Sequence, residues 1–145
     1  MKILELGHVV LYVTDIKKMA GFYRDTLGFK EITHGAQMAV FSSGRTHHEM
    51  LLIEVGGERR QHGVEPGLYH IGFKVGDSNA ELREVYQYLK KEGVKILGTT
   101  DHGVTHSIYI LDPDGNELEL YADVSDIWKK DPQAILATPK LLDLE

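Results

Sequence analysis

Gly7-His8-Val9-Val10-Leu11-Tyr12-Val13-Thr14-Asp15 and Tyr69-His70-Ile71-Gly72-Phe73-Lys74-Val75-Gly76-Asp77 are two versions of one pattern. Each reads as a strand with a histidine near its start and an aspartate at its exit. A helical pattern follows each. In the first, Ile16, Met19, Phe22, Tyr23 and Leu27 fall on one helical face, with Asp15 as cap and Gly28 as stop. In the second, Leu82, Val85, Tyr86 and Leu89 form the stripe, Ser78 with Glu81 reads as a capping box, and Gly93 ends the helix. A short strand follows each glycine, at 29–32 and 94–97. Each half then closes in a hairpin. The first joins 36–41 to 47–55 through Ser42-Ser43-Gly44-Arg45; the second joins 105–111 to 117–122 through Asp112-Pro113-Asp114-Gly115. Pro presets φ and Gly accepts left-handed φ, so the second turn is strongly specified.

The chain therefore repeats itself. It reads as α+β, with two tandem βαβββ modules at about 4–56 and 67–124. They make up a single domain over 1–125. Residues 126–145 form a tail without module pattern, with a short helical turn at Asp126-Ile127-Trp128. Its Trp128, Ile135, Leu136, Leu141 and Leu142 suggest packing on the domain or on a partner subunit.

Aligning the halves puts His8 on His70 and Gly44 on Gly115. Four residues after those glycines, His48 falls on Glu119. Strand alternation places His48, Met50 and Leu52 on one face, and Glu117, Glu119 and Tyr121 on another. Any one of these polar residues alone reads as an ordinary hydrogen-bonding group at a strand end. As symmetry-related pairs they could converge on one cavity. Two imidazoles and one carboxylate suit a divalent transition metal with open cis positions; Fe(II) fits, and Mn, Ni or Zn would share the donors. His48, with His47 beside it, and His102 are candidate proton carriers, since neutral imidazole titrates near pH ~6.5. Tyr109 is a candidate donor to a substrate oxygen. His47 is expected to face away from His48. His106 is expected on the opposite face from Tyr109. His34 and His62 read as solvated loop residues, Glu54 and Glu58-Arg59-Arg60 as a solvated strand end and loop, and Met38, Met50 and Phe41 as core or cavity wall.

Composition narrows the classes. With 16 basic against 22 acidic residues the net charge is −6, so the basic patch a nucleic-acid partner needs is missing. No apolar run approaches the ~20 residues of a membrane span. The chain has no cysteine, which removes disulfides, thiolate metal sites and a cysteine nucleophile. A cytoplasmic protein is expected.

Paired βαβββ modules carrying His8, His70 and Glu119 resemble the vicinal oxygen chelate superfamily, over nearly all of 4–124, and that resemblance implies that the modules form a curved mixed sheet around a metal cavity. Within it the chain is most similar to type I extradiol, catechol 2,3-dioxygenase-like ring-cleavage enzymes. The resemblance rests on Thr100-Asp101-His102, Ile108-Tyr109, Asp112-Pro113-Asp114-Gly115 and Glu119, and on Arg45-Thr46-His47-His48-Glu49-Met50-Leu51. It also rests on Gly115-Asn116-Glu117-Leu118-Glu119-Leu120-Tyr121-Ala122-Asp123 followed by Trp128. Two departures stand out: this chain has one paired-module domain where many relatives have two, and its gap from His102 to Tyr109 is short.

The resemblance implies an Fe(II)-dependent dioxygenase, with Mn(II) as the alternative ion, opening a catechol with O2 to a hydroxymuconic semialdehyde-type product. His8, His70 and Glu119 would hold the metal, His48 would act as acid and base, and His102 and Tyr109 would bind the substrate oxygens. The alternatives are a glyoxalase-like isomerase or lyase, an antibiotic-modifying thiol transferase, and a metal-free small-molecule binding protein. Glyoxalase I normally carries a carboxylate where His48 stands. Were His48 a fourth ligand, the isomerase type would be favoured. The small-molecule partners would be a catechol and O2, and self-association into a homo-oligomer is expected, to cover open sheet edges.

Overall fold

A computed structural model describes residues 1–59 and 66–145. Arg60 and His62 lie outside the described residues. The chain divides into two compact units. One comprises Met1–His62 with Asp112–Gly115, the other Gly63–Leu111 with Asn116–Glu145. The architecture is α+β, with one mixed sheet in each unit where the sequence suggested a single curved sheet.

The first unit contains β1 (Val9–Val13), α1 (Ile16–Gly21), β2 (Lys30–His34), β3 (Met38–Ser42) and β4 (Met50–Glu54), in sheet order β1-β4-β3-β2. β1 runs parallel to β4, and the other pairs are antiparallel. Alternation sends Leu11, Val13, Ala39, Phe41, Met50 and Leu52 into the core against Ile16, Met19 and Tyr23. Two carboxylates meet the start of α1. Asp15 accepts from the Lys18 amide, and Glu54 accepts from the Ile16 amide at 2.8 Å. Glu54 therefore serves the helix N-terminus, where unsatisfied N–H groups favour an anion, and is not a merely solvated strand end.

The expected helix through Leu27 changes type midway. After Gly21 the backbone widens into a π-helical turn, Phe22–Thr26, in which the Leu27 amide reaches the Phe22 carbonyl. Gly28 then leaves with φ +76°, the left-handed value a glycine stop supplies. The wide turn accompanies complete burial of Tyr23, whose hydroxyl donates to Asp112 at 3.1 Å. Asp112–Gly115 completes this unit: Asp114 accepts from the Thr14 amide at 2.7 Å and from its hydroxyl at 2.6 Å. Asp112 and Asp114 are both buried, so these bonds offset desolvation of the carboxylates. His34 is the last residue of β2, not a loop residue, and lies 3.1 Å from Glu31. Met38 is half exposed, while Met50 and Phe41 are core.

The second unit contains β5 (His70–Gly76), α2 (Asn79–Lys91), β6 (Ile96–Asp101), β7 (Thr105–Leu111), β8 (Glu117–Asp123) and β9 (Lys140–Leu141), in order β5-β8-β7-β6-β9. β6 starts later than the strand expected at 94–97. Leu82 and Leu89 of α2 are buried, in a unit whose other buried side chains include Ile108, Ile110, Leu118 and Leu120. Ser78 caps α2, its hydroxyl both accepting from the Glu81 amide and donating to the Glu81 carboxylate. β7 separates its side chains by parity. His106 bonds Asn79 of α2 at 2.6 Å, whereas Ser107 and Tyr109 reach Glu119 on the opposite face.

The tail packs on this unit. Val124 and Ser125 amides donate to the Val104 carbonyl. β9 pairs with β6, Thr99 donates to the Leu142 carbonyl, Leu144 is buried, and Glu145 accepts from Tyr86 and Lys90 of α2. Two 3-10 segments, Ile127–Lys129 and Pro132–Leu136, lie between these anchors. Among the described residues, no helix is long and apolar enough to cross a membrane.

Candidate functional site

The second unit gathers most of the chemistry-bearing residues. His70 opens β5 and Glu119 lies at the middle of β8. Parallel pairing sets Gly72 opposite Glu119, and antiparallel pairing sets Tyr109 opposite it on the other side. The two oxygens of Glu119 do different work. Oε1 accepts from Ser107 Oγ at 2.6 Å and from Tyr109 Oη at 3.1 Å. Oε2 stands 3.1 Å from His70 Nε2. His102 Nε2 lies 2.9 Å from the Tyr109 hydroxyl. A phenol has one proton; with it directed to Glu119, His102 donates from Nε2 to the phenol oxygen. The run His102–Tyr109–Glu119–His70 is thus a continuous polar chain.

These groups line a cavity of about 660 Å³, together with Val104, Trp128 and Ile135. Its volume falls within the range of small-molecule sites, ~300–1,000 Å³. Burial pushes the Tyr109 phenol far above its ordinary value, and the Glu119 charge with its hydrogen bond adds to the effect. Tyr121 is raised by burial and by Asp123. Tyr69, beside His70, is raised first by its bond to Glu117 and then by burial. All three phenols are therefore neutral donors at pH 7.

In the first unit His8 and His48 come together, their rings 4.5 Å apart. Neither lies within a strand: His8 precedes β1 and His48 precedes β4. The alternation expected for His48 with Met50 and Leu52 does not reach that far. For the same reason His47 does not turn away, and its Nδ1 contacts Nδ1 of His48. Burial, followed by the charges of His8 and His47, holds the His48 imidazole below its ordinary value, so it is neutral at pH 7. Strand register also revises the alignment of the halves. Leu51 pairs with Val10 as Glu119 pairs with Gly72, so Leu51 occupies the strand position that corresponds to Glu119. His48 sits three residues earlier, in the turn.

The donors thus fall in two sets: His8 and His48 in the first unit, His70 and Glu119 in the second, joined there by His102 and Tyr109. No cluster of three or more His, Asp or Glu side chains placed to hold an ion forms among the described residues. The second set nonetheless suits a divalent metal in its chemistry. An imidazole nitrogen and a carboxylate oxygen face each other, and the remaining carboxylate oxygen is tied back by two hydroxyls, the outer support that metal carboxylates use. His70 Nδ1 is buried without a hydrogen-bond partner.

Ser107, Thr105 and Asp123 were missed in the sequence, although alternation along β7 and β8 from Tyr109 and Glu119 points to them. Ile135 carries no such signal, because the tail has no period to extrapolate.

Residues 5–120 match the family described as Glyoxalase/Bleomycin resistance protein/Dioxygenase superfamily. Biphenyl-2,3-diol 1,2-dioxygenase 3 of Rhodococcus globerulus is 31% identical over 81% of this chain; the match spans 63% of that relative's length. A Metallothiol transferase FosB of Staphylococcus saprophyticus is also 31% identical, over 82% of this chain and 77% of its own. A solved glyoxalase/dioxygenase from Nostoc punctiforme, 18% identical, superposes with a TM-score of 0.68 over 84% of this chain and 92% of its own, a likeness of fold alone. With the family match covering most of the chain, this protein belongs to the glyoxalase/bleomycin resistance/dioxygenase, or vicinal oxygen chelate, superfamily.

Proposed function

We propose that this chain is an Fe(II)-dependent extradiol dioxygenase that opens the ring of a catechol with O2, with Mn(II) as the alternative ion. His8, His70 and Glu119 would hold the metal, which when bound supplies a shared attachment for catechol and O2 and a path for electrons between them. The ring bond beside the two hydroxyls breaks and both oxygen atoms enter the product, a hydroxymuconic semialdehyde type. Tyr109 and His102 orient the substrate oxygens: on binding, the phenol O–H and the His102 N–H would turn from their present partners, Glu119 and Tyr109, to the substrate oxyanion. His48, held neutral, would take a catechol proton and return it to the oxygen freed as the O–O bond breaks, which then enters the product.

The observation that supports this reading most is the hydrogen-bonded run from His102 through Tyr109 to Glu119 and His70 along one cavity wall. A proton donor, a phenol and a carboxylate–imidazole pair in that order match what a chelated diol requires. The test is anaerobic loading with Fe(II), addition of catechol, and admission of air. The expected result is oxygen uptake with a yellow ring-opened product. Iron bound in full with no product from any catechol would overturn the reading.

A second reading, a metal-dependent thiol transferase, is favoured by the larger share of the FosB relative that the chain spans. It would consume thiol in the presence of an electrophilic antibiotic, with no oxygen uptake. Self-association and a cytoplasmic location belong to the same proposal.

A further inference from the structure

The cavity of the second unit has both polar and apolar lining. His70, His102, Tyr109 and Glu119 are among its polar residues, with Thr105, Tyr121 and Asp123. Trp128 and Ile135, from the two 3-10 segments of the tail, are among its apolar ones. Both tail residues are large and apolar, yet 43% and 53% exposed. They do not hang free. Upstream, Val124 and Ser125 are bonded to Val104, itself a cavity residue. Within the segment, Asp131 caps Pro132–Leu136 by accepting from the Gln133 amide. Downstream, β9, the buried Leu144 and the Glu145 contacts with Tyr86 and Lys90 fix the chain end. A pinned segment that holds two apolar side chains open over a cavity leaves surface for a ligand to bury.

We propose that the tail is the substrate-selecting wall of this site: Trp128 and Ile135 receive an apolar substituent carried on the ring away from its two oxygens. The inference rests on the ring-cleavage reading for the word catechol, and on the cavity alone for the preference. A plain diol would satisfy the polar lining and leave the wall wet. An alkyl or aryl diol would satisfy both. Selection then comes from a segment outside both βαβββ patterns.

Trp128 is the sole tryptophan, so its emission reports occupancy of the cavity. The experiment loads the full chain anaerobically with Fe(II) and titrates catechol and 4-butylcatechol by calorimetry, following Trp128 emission in parallel. In the native chain 4-butylcatechol binds more tightly, and Trp128 emission shifts at saturation. Ile135→Ala reduces that preference by about tenfold, the worth of a few methylene contacts. Ile135→Trp fills the wall and reverses the preference. Ile135 is half exposed on a short segment, so both variants are expected to fold; far-ultraviolet circular dichroism checks this.

An unchanged preference in Ile135→Ala, silent Trp128 emission at saturation, or failure of both diols to bind would overturn the proposal. So would a variant that alters the sedimenting mass while leaving the preference intact, since the wall would then be a contact between copies. The two readings fail separately. Ring opening with no preference sinks the wall and keeps the dioxygenase. Preference without ring opening does the reverse.

Discussion

The two units share an order of elements but differ in the turn before their last strand. In the second, residues 112–116 join β7 to β8, and Glu119 lands inside a strand between two hydrogen-bonded neighbours. In the first, the longer stretch 43–49 joins β3 to β4, and His48 stays in the turn, stacked on His8. A strand fixes a side chain through its partners on both sides; a turn fixes it through whatever it touches. Glu119 is held by Ser107 and Tyr109, whereas His48 is held by other imidazoles. In the proposed function Glu119 is the donor fixed by its strand neighbours, and His48, in its turn, is the group that carries a proton.

The comparison breaks first at the proton carriers. His48→Ala should leave iron content unchanged and lower kcat by about 10²–10⁴-fold, the usual worth of a positioned acid–base group. Stopped-flow product formation with iron analysis reads both. If iron is lost as well, His48 is a ligand and the division of labour is wrong.

Core truncation probes rigidity. Ile108 and Leu82 are fully buried in the second unit. Leu82→Ala should cost about 2–5 kcal/mol in urea unfolding. A cost below about 1 kcal/mol would mean that α2 does not bind the sheet as described.

Next comes the turn Asp112–Gly115, which belongs to the first unit although it joins two strands of the second. Asp114→Ala removes both acceptors from Thr14. A loss of about 1.5–3 kcal/mol is expected, as for hydrogen bonds to a charged group. Retention of native stability would show the turn to be a passive connection.

The smallest effect is a pH dependence. Burial and the carboxylates of Asp112 and Asp114 push the Tyr23 phenol well above 10. A raised folded value contributes stability in full below the unfolded value of ~10, which is lost as pH rises beyond it. Native protein should lose thermal stability between about pH 10 and 11 more steeply than Tyr23→Phe does. Parallel curves would remove Tyr23 from the account. At pH 7 the same variant should lose about 1 kcal/mol, the worth of one neutral hydroxyl bond.

Much of this was legible in the sequence because it rests on short-range rules. Period-two alternation gives β7 and β8, Ser78 with Glu81 gives the start of α2, and Asp-Pro-Asp-Gly gives the second turn. The repeat of His8 and His70 gave the modules. Legibility ended where tertiary contacts decide. The π-helical turn at Phe22–Thr26 looks α-helical by residue type, because only the buried partner of Tyr23 distinguishes the two. The equivalence of His48 with Glu119 assumed equal turns; Gly44 sits early in a longer one, which strand register alone exposes. Alternation from Tyr109 puts Ser107 on the site face, but its residue type gives no role until its acceptor, Glu119, is known. Ile135 lies in a segment without a period.

The central claim of the proposed function is that His8, His70 and Glu119 together hold one ion. The most direct measurement is Fe(II) bound per chain, by equilibrium dialysis under argon, for the native protein, His8→Ala and Glu119→Gln. The account predicts one ion per chain in the native protein and loss of tight binding in both variants. Native-level iron in His8→Ala alongside loss in Glu119→Gln would contradict it, because the second unit would then hold the metal without the first.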